Sequence, residues 1–66
     1  MNSQKFFNLI AKIKTDNIAI ITKHCIVHTK KFTVKHFFDG AIVCFDIDLG
    51  FELTLFVNSI LTVVSE

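Results

Sequence analysis

The sequence predicts a small α+β domain: an N-terminal helix packed on an antiparallel β-meander of three to four strands, with a C-terminal segment that adds a strand or a second helix. Three observations carry this expectation. One apolar stripe near the N-terminus has helical spacing. An Asp-Gly dipeptide separates two alternating runs. Across that dipeptide, one register brings apolar residues together on one face and opposite charges together on the other.

The helix comes first. Phe6, Leu9, Ile10 and Ile13 fall at i, i+3, i+4 and i+7, with Lys5, Asn8 and Lys12 on the opposite side, which is the pattern of an amphipathic helix. Asn2 or Ser3 can cap its start, and Thr15-Asp16-Asn17 breaks the pattern, so a helix is expected over 3–14. Its stripe is read as core-facing in preference to membrane-binding.

From Ile18 to Phe38 the chain is rich in Ile, Val, Thr and Phe, residues that favour strands. Asp39-Gly40 then predicts a two-residue type I′ hairpin turn. In that register Phe38 pairs with Ala41, His36 with Val43, Val34 with Phe45 and Phe32 with Ile47, while Lys31 meets Asp48 and Thr33 meets Asp46. Upstream, a loop around His28–Lys31 would pair Val27 with Phe32, Cys25 with Val34 and Ile21 with Phe38, at the expense of placing Lys23 and His36 on the core face. Downstream, every odd position from Ala41 to Val57 is apolar. A three-residue turn at Asp48-Leu49-Gly50 would pair Ile47 with Phe51 and Phe45 with Leu53, and set Asp46 against Glu52, an unfavourable pair. The helical spacing of Leu53, Phe56, Val57, Ile60, Leu61 and Val64 competes with a strand over 51–65, and the β-branched residues there tilt the reading towards strands.

The chain's 66 residues make a single domain spanning 1–66, and a chain this short buries only about 60% of the surface its unfolded form exposes. Yet 52% of it is hydrophobic and eight residues are Phe. That surplus points to contact with another chain or a lipid surface. Residues 1–36 carry seven Lys against one acid, Asp16, and residues 37–66 carry five acids, so the halves stand at +6 and −5. Pairing of the two halves inside the fold is the expectation, because cross-strand opposite charges stabilise sheets. No Arg is present, which argues against bidentate phosphate and base recognition, so nucleic acid is an unlikely partner.

No motif for catalysis, nucleotide or cofactor binding is legible. The two Gly lie ten apart, too far for a phosphate loop. His24-Cys25-x-x-His28 has a chelating look, but on a strand residues four apart lie about 13 Å apart and cannot share an ion, so no metal is expected. Asp46 and Asp48 are read as structural partners of the basic strand. Cys25 is expected to face the core and Cys44 the opposite face beside Lys35, which precludes a disulfide. With two Cys and an apolar run at Phe6–Ala11 too short for a secretory leader, the setting expected is intracellular and cytoplasmic.

A non-enzymatic interaction or structural protein is therefore the expected function, as a homo-oligomer or an accessory subunit. Thr22, Phe37, Ile42 and Phe56 form one outward row in the registers above, and Phe37, Ile42 and Phe56 are the expected interface. A membrane-associated protein is the alternative, although the uncharged stretch 53–64 falls short of the roughly 20 residues needed to span. A spurious or unstable open reading frame is the third reading.

Overall fold

The computed structural model describes every residue from Met1 to Glu66. Helix α1 covers Ser3–Lys12. It is followed by β1 (Asn17–Thr22), β2 (Ile26–Lys30), a 3-10 turn at Lys31–Thr33, β3 (Lys35–Phe38) and β4 (Ala41–Asp46). Then come β5 (Phe51–Phe56), a second 3-10 turn at Val57–Ser59 and β6 (Ile60–Ser65). All strand pairings are antiparallel and join into one six-stranded sheet. β4 lines up with β5 along one edge, and β3 and then β2 share its other edge. β1 lies beyond β2 and β6 beyond β1, so β5 and β6 end the sheet on opposite sides.

The α+β class holds, but the meander of three to four strands is really six. The C-terminal segment supplies two strands and no helix. The turn at Val57–Ser59 interrupts the helical spacing there, and the residues after it, Ile60, Thr62, Val63 and Val64, are mostly β-branched and stiff at χ1.

The helix runs two residues shorter than the stripe allows. Asn2 caps it, its Oδ1 accepting from the Lys5 amide at 2.7 Å. Such a cap satisfies one of the orphan amides of the first turn and stabilises by about 1 kcal/mol. Phe6 and Ile10 are buried, and Phe7, Leu9 and Ile13 are half-covered beside them. The helix stripe meets Ile18, Ile20, Val27, Ile42, Cys44, Val57, Ile60 and Val63 in one core.

Two turns set registers that differ from expectation. β1 and β2 form a hairpin through Thr22–Cys25, with Ile21 opposite Ile26 and Asn17 opposite Lys30. The predicted pairing of β2 with β3 does not occur. Thr22 stands in for the missing Gly or Asn: its Oγ1 accepts from the amides of His24 and Cys25 at 3.1 and 3.0 Å. This is the local side-chain-to-backbone bonding by which Ser and Thr make turns. The second turn joins β4 to β5 over residues 47–50, four residues instead of three. Asp46 closes it, its Oδ1 accepting from the Leu49 amide at 2.9 Å and its carbonyl from the Gly50 amide at 2.8 Å. The extra residue moves the register by one, so that Phe45 faces Glu52 and Cys44 faces Leu53. The like-charged Asp46–Glu52 pair is thereby avoided.

Candidate functional site

The Asp39-Gly40 turn is present, and Phe38 pairs with Ala41 as the sequence predicts. Only Gly40 takes a positive φ, +79°, while Asp39 does not. The turn is therefore not type I′, which needs positive φ at both central residues. Beyond Phe38 the ladder slips: His36 faces Ile42 and Lys35 faces Val43, with a bulge at Phe37. The expected His36–Val43, Val34–Phe45 and Phe32–Ile47 pairs are lost, and Phe32 lies in a 3-10 turn.

That bulge corrects the expected interface in one member. A one-residue slip carries a strand's side chains to the opposite face. Ile42 is fully buried, in the core beside Leu55, and cannot offer itself to a partner. Cys44 follows it inwards, while Phe45 turns to solvent. The outward row also loses Thr22, which is buried and opposite Ile60.

Phe37 and Phe56 remain on the surface, 58% and 60% exposed. Phe38 joins them. Its ring lies 4.9 Å from Phe37 and 6.3 Å from Phe56, both edge-on. Ala41 explains the arrangement. It pairs with Phe38 on one side and Phe56 on the other, yet it is completely buried and lies outside the main core cluster. A small side chain between two large ones lets the rings lean over it and meet. The result is an aromatic ledge across β3, β4 and β5, on the side of the sheet away from the core. Reading the sequence missed Phe38 because the unbulged register assigned it to the core face.

Six of the eight Phe are exposed: Phe32, Phe37, Phe38, Phe45, Phe51 and Phe56. Edge-to-face rings at such distances add about 0.5–1.5 kcal/mol per pair, which fixes the ledge's shape without hiding it from water.

The titratable groups offer less. Cys44 is buried, and its burial pushes the thiol up to about 11 against the opposing hydrogen bond of Thr29, so it is a packing residue and not a thiolate. Cys25 is exposed in the β1–β2 turn. The two cysteines thus face opposite to expectation. His24 lies in the same turn, while His28 sits in β2 with Nδ1 2.7 Å from Glu66 Oε1 and Nε2 4.0 Å from Asp48 Oδ2. The Glu66 hydrogen bond leads the causes that raise the His28 pKa, with Asp48 and Asp46 adding to it. No three His, Cys, Asp or Glu side chains come together as a metal site.

The charged halves do not pair as expected. His28 makes both of the carboxylate ion pairs in the fold, and no Lys makes one. Lys31 bonds instead to the Ile13 carbonyl and Lys30 to the Asn17 side chain. Lys31 and Thr33 lie in a 3-10 turn, Asp46 is buried as a turn cap and Asp48 lies by His28, so neither Lys31–Asp48 nor Thr33–Asp46 forms. No cavity opens anywhere in the fold, and no helix is long and apolar enough to cross a membrane. No family model, curated protein or solved structure matches the chain.

Proposed function

We propose that this chain is a small non-enzymatic interaction protein that self-associates through its apolar outer surface, with the aromatic ledge of Phe37, Phe38 and Phe56 as the contact. One observation carries the reading: three Phe side chains touch in series while each stays about half exposed or more. Apolar patches of this kind mark contacts with other chains, and aromatic residues are enriched at the centres of such contacts.

The surroundings support it. Phe38 and Phe56 are positioned by strand pairing to Ala41, and strands hold a surface more rigidly than loops do.

The test is the double variant Phe37→Ser with Phe56→Ser, measured by size exclusion with light scattering. Both side chains are mostly in water, so the fold should survive. The expected result is a smaller, still folded species than the parent. A folded variant of unchanged size overturns the reading.

A further inference from the structure

The outer edge of β6 is a second surface, apart from the ledge, at which the sheet ends. β6 pairs with β1 along one edge and ends the sheet along the other. Its six residues, Ile60–Ser65, hold no charge, and the whole chain has no Pro. Unpaired strand edges offer a row of amides and carbonyls that only another strand satisfies throughout, and proteins that stay apart usually block such edges with Lys, Pro or a covering element. No Lys or Pro stands on β6, and helix α1, which packs against the strand, shares the core with Ile60 and Val63 on its inner side.

We infer that two copies of this chain join by antiparallel pairing of β6 with β6 about a local twofold axis, continuing the sheet from one molecule into the next. The strand's own alternation selects the register. Val63 pairs with Ile20 and shares the core with it, so it points inwards; Thr62 and Val64, opposite Ile21 and Ala19, point out. Directly opposed residues in an antiparallel pair lie on the same face. Centring the twofold on Val63 sets Val63 against Val63 on the inner side and Thr62 against Val64, twice, on the outer side. The three central pairs are then β-branched with β-branched, the type that suits a pleated surface, Leu61 meets Ser65 on either side of them, and no like charges meet. The same geometry suits the twofold interface, the commonest in soluble oligomers, where one patch serves both partners. The pairing is separate from the aromatic ledge, which belongs to β3, β4 and β5.

The experiment removes the ledge first. In the Phe37→Ser, Phe56→Ser background, β6 contact should leave a dimer by light scattering. Adding Thr62→Lys and Val64→Lys sets Lys against Lys in the inferred register and should give a folded monomer. A chain with Thr62→Glu and Val64→Glu should also be monomeric, and an equimolar mixture of the two should form a one-to-one dimer. A monomeric background, or a Lys variant that stays dimeric, overturns β6 pairing while leaving the ledge reading to its own test. Amide exchange on the parent chain gives a check that needs no substitution: protection in β6 should rise as concentration goes from micromolar to hundreds of micromolar, and protection that does not change overturns the inference.

Discussion

Replacing Ile42 by Ala probes the structure where it departs furthest from a simple alternating hairpin. The side chain is fully buried in the core cluster, on β4 between β3 and β5. Truncating a buried Ile to Ala costs about 2–5 kcal/mol, depending on how well the site collapses. A chain of 66 residues has a total stability of about 3–10 kcal/mol, so the loss is a large fraction of the whole. At roughly 4–8 °C per kcal/mol for a domain of this size, a loss near 3 kcal/mol lowers the melting temperature by about 20 °C. Phe37→Ala is the matched control. That ring is 58% exposed and forfeits mainly its edge contact with Phe38, about 1 kcal/mol, or roughly 5 °C. Thermal melting followed by circular dichroism compares the two. Equal shifts, or a larger one for Phe37→Ala, would refute the inward assignment of Ile42 and the bulge that causes it.

Gly40→Val should lower the melting temperature by several degrees. The added Cβ meets no atom within 4 Å, so the strain comes from φ at +79° alone, about 1–2 kcal/mol and more for a β-branched residue; an unchanged melt would show that the turn relaxes without loss. Cys25 should react with a disulfide reagent in the native protein within minutes while Cys44 waits for unfolding, as its burial and a thiol pKa of about 11 require; two equivalents of fast reaction would contradict this. The His28–Glu66 contact should make stability depend on pH. The His28 pKa is raised on folding, so its contribution is complete below the unperturbed value of 6.5 and disappears as pH rises through the folded value. Glu66→Gln should flatten that fall, and a ring titration of His28 at or below its unperturbed value would exclude the contact.

Legibility from the sequence followed the range of the interactions involved. The helix, a cap at Asn2 or Ser3 and the place of the Asp39-Gly40 turn are local, set by residues within four of one another, and these are readable, while the type I′ geometry of the turn is not borne out. The α+β class follows from them. Registers failed wherever one extra residue entered: Phe37 in the bulge, and the fourth residue of the turn at 47–50. Side chains alternate with period two, so each error inverted a whole face, exchanging Ile42 and Cys44 for Val43 and Phe45. The pattern could not expose the error, because β4 is apolar at successive positions from Ala41 to Phe45. The β1–β2 turn was hidden for another reason: Thr22 supplies with one hydroxyl what Gly or Asn supplies elsewhere. Of the candidate interface, Phe37 and Phe56 lie on the surface, Ile42 does not, and Phe38 emerges only through its contact with Phe56 across Ala41.

The surplus of apolar residues inferred from composition has a definite address. One core cluster takes ten buried residues, and eleven large hydrophobic side chains lie exposed, most of them from Phe37 onwards. A sheet with its helix on one side has a second side to cover, and here that side is furnished with Phe. If copies of the chain cover it for one another, folding and association are coupled, and stability follows concentration by mass action. For a dimer that unfolds to two free chains, a tenfold rise in concentration adds about 1.4 kcal/mol per mole of dimer. At about 2.1 cal/mol/K per residue for both chains, the melting temperature then rises by about 5 °C per decade. Melts across a hundredfold concentration range should therefore separate by about 10 °C. The shift should vanish in the chain that adds Thr62→Lys and Val64→Lys to Phe37→Ser and Phe56→Ser, because the melt of a monomer carries no concentration term. Superimposable melts across that range in the parent would mean the exposed Phe side chains are borne by a monomer, and the self-association reading would fall.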